Sequence, residues 1–271
     1  MKIGVYADAH FSLNSSIILG SKGTLSGRLS YLINSFGWMY KQFEDRKVDM
    51  IVDLGDLTDS YMLRAEEITA ITDALSLKKS DIPEYHILGN HERLDEAGVI
   101  NSVNFIENYH SHKLIKDVTT IGDVTFIPYS KYNDGDFDNN KSKIAFSHID
   151  IFGSDTGGWK LKSGLTPSYL TSVYQLVLNG HIHNGSWVIP KKVMNVGSIS
   201  GQNFSSKSVY WHPSIAILDT DTLEVELIEN PHALRFVQIE AGELSVVINK
   251  LSKLESNISY GVQVKVPLVL S

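Results

Sequence analysis

Cysteine is absent from the 271 residues. Its absence excludes disulfides, thiolate zinc sites and cysteine nucleophiles, so any metal must be held by nitrogen and oxygen donors. No apolar run reaches membrane-spanning length, and a chemistry-bearing motif already begins at Asp8, leaving no room for a cleaved leader. The expectation is a cytoplasmic protein without membrane contact. Basic charge is scarce as well: 24 Lys and Arg face 31 Asp and Glu, giving a formal net charge of −7. That balance argues against a protein that coats nucleic acid through a broad basic face, although pairs such as Lys191-Lys192 can still meet phosphate locally. With 42% hydrophobic residues the chain is not disordered and can bury a full core. Its length suits one large domain or a core with a small appendage.

The first half alternates strand and helix. Apolar, β-branched runs at Ile3 to Tyr6, Met50 to Leu54 and Tyr85 to Leu88 read as strands. Between them, residues 11 to 27 read as a Ser/Gly/Asn-rich loop. A helix is expected from about Arg28 to Arg46, with Leu29, Leu32, Ile33, Phe36, Tyr40 and Phe43 on one face, and another near Leu63 to Leu77. The second half reads as mostly strand, with runs near Val124 to Ile127, Ile144 to Phe146, Leu176 to Leu178, Trp187 to Ile189, Val193 to Val196, Ile215 to Leu218 and Leu223 to Ile228. Gly153 to Gly164 reads as a long flexible loop over the edge that carries the motifs. After Asn230-Pro231 come a strand (Arg235 to Ile239), a helix (Glu243 to Leu254) and a strand (Gly261 to Leu268). This set is too small to bury much alone, so it must lean on the core or on a partner.

Five motifs each end one of the apolar runs: Asp8-Ala9-His10, Gly55-Asp56-Leu57-Thr58-Asp59, Gly89-Asn90-His91-Glu92, Ser147-His148 and Gly180-His181-Ile182-His183. Strand ends are where α/β sheets collect their ligands. A dinuclear cation centre needs donors from several strands, a carboxylate that can bridge, and neutral imidazoles that do not overcharge the site. The motifs supply that set. Alone, an Asp-x-His is commonplace and a Gly-Asp usually marks a turn. Their conjunction in this order, holding five of the ten histidines, is what points to metal chemistry. His86, His110, His112, His212 and His232 read as structural.

The set resembles the calcineurin-like metallophosphoesterases over roughly Met1 to Ile228. The resemblance implies an α/β (α+β) four-layer sandwich in which two packed mixed sheets are flanked by helices, followed by the start of a small capping unit. The division would fall at 1–231 for the catalytic domain and 232–271 for the capping segment. It implies one cation at Asp8, His10, Asp56 and His183, and a second at Asp56, Asn90, His148 and His181. His91 would contact the scissile phosphate, with Asp59 and Glu92 supporting the ligands. Two divalent ions are implied, Mn2+ first, with Mg2+, Fe2+ or Zn2+ accepted by the same donors.

Within the family, the chain looks most like the SbcD-type nucleases of recombination and double-strand-break repair, including bacteriophage relatives. That likeness rests on Gly55 to Asp59 running into a helix, on Met194-Asn195-Val196-Gly197-Ser198 after the Gly-His-x-His motif, and on the strand-helix-strand tail. It implies DNA as substrate, as double-stranded ends or single strands, and it makes an SbcC-type ATPase subunit and a homodimer candidate partners. The alternative is a small-molecule phosphodiesterase or phosphatase acting on cyclic nucleotides or similar esters. A ligand-poor scaffold of the retromer-subunit kind does not fit, since every motif position is filled.

Overall fold

The computed structural model describes residues 1–13, 21–22, 25–202, 208–256 and 260–265. In chain order the elements are β1 (Lys2–Tyr6), β2 (Ser21–Lys22), β3 (Leu25–Ser26), α1 (Gly27–Asp45), β4 (Met50–Asp53), α2 (Ala65–Leu75) and β5 (Glu84–Ile87). A 3-10 turn (Asn104–Asn108) leads to β6 (His112–Ile115), β7 (Thr119–Ile121), β8 (Val124–Ile127), β9 (Ile144–Ser147), α3 (Pro167–Val173) and β10 (Leu176–Asn179). The remainder is β11 (Ser186–Ile189), β12 (Val193–Asn195), β13 (Ser214–Asp219), β14 (Val225–Glu229), β15 (Arg235–Glu240), α4 (Leu244–Leu251) and β16 (Tyr260–Lys265).

Two six-stranded sheets form, ordered β14-β13-β1-β4-β5-β6 and β11-β12-β10-β9-β8-β7. Both are mixed. β1, β4, β5 and β6 run parallel in the first, as do β8, β9, β10 and β12 in the second. Strand alternation explains the layering. Ile3, Val5, Val52 and Ile87 from one sheet meet Phe126, Phe146, Leu178 and Met194 from the other in a shared apolar layer. The opposite face of the first sheet carries α1 and α2 through Leu29, Leu32, Phe36, Met39, Phe43 and Ile71. α3 covers the second sheet through Leu170, against Val177 and Val193. The fold is thus the expected four-layer sandwich.

Helix α1 begins where Ser26 caps it, its hydroxyl accepting from Leu29 N–H. The start of α2 is fixed by Glu67, whose carboxylate accepts the Arg64 N–H at 2.7 Å, with Glu66 and Glu67 both in the first turn where the helix dipole favours them. Several elements escaped the sequence reading, among them β2 and β3 inside the stretch read as a loop and the 3-10 turn at Asn104–Asn108. α3 is only seven residues long, too short for an apolar period, and is set by the Thr166 cap with Pro167 at its first turn. β7 is a three-residue, largely exposed edge strand. The Gly153–Gly164 stretch, expected as a flexible loop, is folded on itself: Phe152 N–H bonds Leu165 O, Gly153 N–H bonds Leu161 O, and Leu161 N–H bonds Ser154 O. Much of the 11 to 27 loop, and the end of the strand expected at Gly261 to Leu268, lie outside the described residues.

β15 and β16 pair in parallel as a separate two-stranded sheet linked by α4. β15 approaches the core through Phe236, whose ring lies beside Gly201; Ile239 is also buried, while α4 buries no residue. Among the described residues no helix is long and apolar enough to cross a membrane.

Candidate active site

All five motifs leave the C-terminal ends of parallel strands, and the two sheets bring those ends together. Four of the residues there hold left-handed backbone that is uncommon outside glycine: Asp8 (φ 52°), His10 (49°), Asp56 (55°) and His181 (71°). Strain of this kind persists only where the surroundings enforce it. Backbone bonds do so here, with Asp8 N–H on Gly55 O at 3.0 Å, His10 N–H on Asp56 O at 3.0 Å, and Phe11 N–H on Leu57 O at 2.8 Å. Gly55 and Gly89 allow the loops to close in. A Cβ on Gly55 would stand 2.6 Å from His148 Nδ1, and one on Gly89 would collide with the Asp56 carboxylate and N–H.

The donor atoms converge in two groups. In the first, Asp8, His10 and His183 present ligand atoms within 4.8 Å of one another, and His10 Nε2 faces His183 Nε2 at 3.0 Å. Asp56, His148 and His181 form the second. There His148 Nε2 is 3.2 Å from Asp56 Oδ2, and Asn90 Oδ1 lies 3.0 Å from His148 Nε2 and 2.9 Å from His181 Nδ1. Asp56 Oδ2 is also 3.7 Å from His10 Nε2, so one carboxylate stands between the groups. Asp8, His10, Asp56 and His148 are buried.

Three of the four ligand imidazoles are aimed by a partner on the far nitrogen. His10 Nδ1 lies 3.0 Å from Asp59 Oδ1, and His148 Nδ1 lies 2.7 Å from Leu54 O. His181 Nε2 lies 2.9 Å from Asp150 Oδ1. Such partners fix which nitrogen is left to bind. Asp150 was not singled out in the sequence, though it stands two residues after His148. Glu92 touches none of the donors. Buried, it accepts Leu57 N–H and Gly89 N–H, each at 2.7 Å, and so ties the Asp56 loop to the Asn90 loop. Ser198, from the turn after β12, donates its hydroxyl to Asp8 O at 2.9 Å.

His91 stands apart. Its side chain is 40% exposed, its N–H donates to Asp56 Oδ1 at 3.0 Å, and its Nδ1 lies 3.1 Å from Asp59 O. The ring therefore sits at the mouth with Nε2 as the nitrogen not taken up by Asp59. Of the other histidines, His212 pairs with Glu229 at 3.0 Å and His110 with Asp81 at 3.3 Å, both on the surface.

The electrostatics ask for positive charge. Asp8 Oδ1 accepts His181 N–H at 3.0 Å, but among the described residues Asp8 Oδ2 is buried with no hydrogen-bond partner, and burial pushes this carboxyl's pKa up. Burial also works against Asp56, yet the His148 imidazole overrides it and holds Asp56 well below the carboxylate range. Burial likewise opposes a charge on His148, and Asp56 outweighs it, raising His148 to about 9. Burial lowers His183 to about 3. A buried carboxylate oxygen without a partner among the described residues, on an Asp8 grouped with the imidazoles of His10 and His183, is an arrangement that a divalent cation satisfies, and the all-oxygen-and-nitrogen set fits two.

Fold and donors together define a metal-dependent phosphoesterase. The chain belongs to the calcineurin-like phosphoesterase family, whose model matches residues 1–185. Comparison with curated proteins finds no match. Among solved structures, a purple acid phosphatase, PPD1, from yellow lupin (Lupinus luteus) seeds matches with a TM-score of 0.52 at 12% identity, over 84% of this chain and 51% of that one. TT1561 of Thermus thermophilus matches over 84% of this chain and 98% of its own, at 11% identity and a TM-score of 0.49. Nuclease MPE of Pseudomonas putida matches over 62% of this chain and 74% of its own, at 15% identity and a TM-score of 0.36. The lupin structure supports the fold; identities this low carry nothing about substrate.

Proposed function

We propose that this chain is a dinuclear phosphodiesterase whose substrate is DNA, an exo- or endonuclease of the SbcD type. The observation that carries the dinuclear reading is the placement of Asp56 between two donor groups. In this reading Asp8, His10, Asp56 and His183 hold one cation, and Asp56, Asn90, His148 and His181 hold the other. Two divalent ions so held supply charge neutralisation at the phosphoryl oxygens and a ready source of hydroxide for in-line attack. The residues do the rest. Asp59 and Asp150 keep the imidazoles of His10 and His181 turned toward the centre, and Glu92 holds two of the ligand loops in register. His91, anchored by Asp59 O, offers Nε2 to the phosphoester, where it stabilises developing charge or protonates the leaving oxygen.

DNA as substrate is supported by the sequence resemblance and by the open flank of the site. A cleft of about 300 Å³ adjoins Asp59 and is lined by Phe11, Met62, Arg64 and Glu67 among others. A strand continuing beyond the scissile phosphate has room there, with Arg64 as a cation for a neighbouring phosphate. Residues 1–231 would form the catalytic domain and 232–271 a short cap, and an SbcC-type ATPase or a second copy of the chain would be the partner.

The test compares linear duplex DNA, single-stranded DNA, cyclic nucleotides and a chromogenic diester, each with Mn2+ and with Mg2+. DNA should be cut with Mn2+ and much less with Mg2+, because sites rich in imidazole hold Mg2+ weakly. Cleavage of cyclic nucleotides far faster than any DNA would replace this reading with the small-molecule one.

A further inference from the structure

A second cluster of metal-binding side chains lies inside the strands, apart from the motifs. In the first sheet, Tyr6, Asp53 and His86 are successive partners across β1, β4 and β5, and Glu84 pairs with His112 across β5 and β6. Glu84 and His86 are two apart on one strand, so all of these side chains emerge on one face, the face that α1 covers with Tyr40. Glu84, His86 and His112 are all buried, and their ligand atoms lie within 4.8 Å of one another.

We propose that Glu84, His86 and His112 form a third, structural cation site of the zinc type, closed between the first sheet and α1. The two histidine–glutamate separations are close to those of ligands around one ion, while the histidine–histidine separation is shorter, at hydrogen-bond distance. His86 Nε2 is 2.9 Å from His112 Nδ1 and 3.6 Å from Glu84 Oε1, and His112 Nδ1 is 3.7 Å from Glu84 Oε2. Donors bound tetrahedrally at about 2.0–2.2 Å stand roughly 3.3–3.6 Å apart. At the strand-end centre His10 and His183 face each other in the same manner, at 3.0 Å.

The supporting shell is also present. His86 Nδ1 lies 3.1 Å from Asp53 Oδ2, which leaves Nε2 for the ion in a carboxylate–imidazole–metal arrangement. Asp53 is itself held by Gly55 N–H at 3.1 Å. Tyr6 and Tyr40 donate their hydroxyls to Glu84 Oε1 at 2.9 and 3.3 Å, fixing the ligating carboxylate. Among the described residues Glu84 Oε2 is buried without a hydrogen-bond partner. Lys78 Nζ stands 3.5 Å from that oxygen, at the edge of hydrogen-bond reach, and donates to Ser111 Oγ at 2.9 Å, while burial raises Asp53 to about 8. Burial lowers His86 to about 4 and His112 to about 2, so both imidazoles are in the neutral, ligating form at pH 7. Through Asp53 and Gly55, an ion here would brace the turn that presents Asp56, without taking part in hydrolysis.

The site does not depend on the strand-end centre, and the test separates the two. Full-length protein carrying Asp8→Ala and Asp56→Ala, loaded with Zn2+ and dialysed against metal-free buffer, should retain one ion per chain. Adding His112→Gln, or separately Glu84→Gln, should remove it. In the otherwise wild-type chain each of these two substitutions should lower the zinc content by one, with an unchanged circular dichroism spectrum. Loading with Co2+ should give the strong visible absorption of a tetrahedral ion in the Asp8→Ala/Asp56→Ala protein, and none once His112→Gln is added. A zinc content unchanged by both His112→Gln and Glu84→Gln would overturn the site. So would a folded Asp8→Ala/Asp56→Ala protein that retains no ion; His86 and His112 would then be a hydrogen-bonded pair within a buried polar network.

Discussion

The two histidine clusters use the same residue types in opposite settings. At the strand ends, donors arrive from five loops, several in left-handed backbone, and the group opens toward solvent at His91. Inside β4, β5 and β6, the donors are fixed by strand register and sealed beneath α1. Loops can aim ligands at a point that no regular strand reaches and can leave a face free for substrate. Register can only stack side chains on one face, which suits a closed site. The difference teaches that chemistry in this fold belongs to the strand ends, and that the strand interiors hold those ends still.

The contrast breaks most visibly if the open cluster needs no exposed group. His91→Ala should keep both cations and substrate binding while turnover falls by about 10²–10⁴-fold, the usual worth of a positioned acid or oxyanion partner. Single-turnover rates with parallel metal analysis measure it. Loss of metal, or near-normal turnover with metal intact, would make His91 a ligand or a bystander.

The closed cluster has its own signature in acid. His86 is held to about 4 in the folded chain by burial, against about 6.5 when unfolded. The unfolded chain therefore binds the proton first. Stability from this group is full above about pH 6.5 and is lost as pH falls toward 4, up to about 3 kcal/mol in ion-free protein. Urea unfolding of chelator-treated protein at several pH values should show this slope, and His86→Gln should reduce it, leaving the share of the other buried histidines. An equal slope in both proteins would place the acid sensitivity elsewhere.

A smaller effect is expected at Asp150, which reaches only the outer nitrogen of His181. Asp150→Asn should weaken binding at one of the two strand-end positions by about 10–100-fold and leave the other unchanged, with turnover recovering at high Mn2+. Turnover that stays low at saturating Mn2+ would give Asp150 a direct part in the reaction.

The sequence made the strand ends legible because each motif stands at the end of an apolar run, and glycine at 55, 89 and 180 marked where loops close tightly. The alternation of strand and helix in the first half followed from the periods of α1 and of the strands, whereas the four layers came from the resemblance to the family. Asp150 stayed hidden because a single carboxylate after Ser147-His148 carries no pattern; only the fold brings it to His181. His86 and His112 were read singly as structural, since their meeting depends on β5 pairing with β6 and on the register that sets Glu84 opposite His112. α3 was missed because seven residues do not span enough turns to show a period.

The central claim is that Asp56 joins two cations. Electron paramagnetic resonance of Mn2+-loaded protein, with metal content measured alongside, tests it most directly. The account predicts two Mn2+ per wild-type chain with the signal of a spin-coupled pair, and loss of both ions in Asp56→Ala. Two bound, coupled Mn2+ in Asp56→Ala would contradict it.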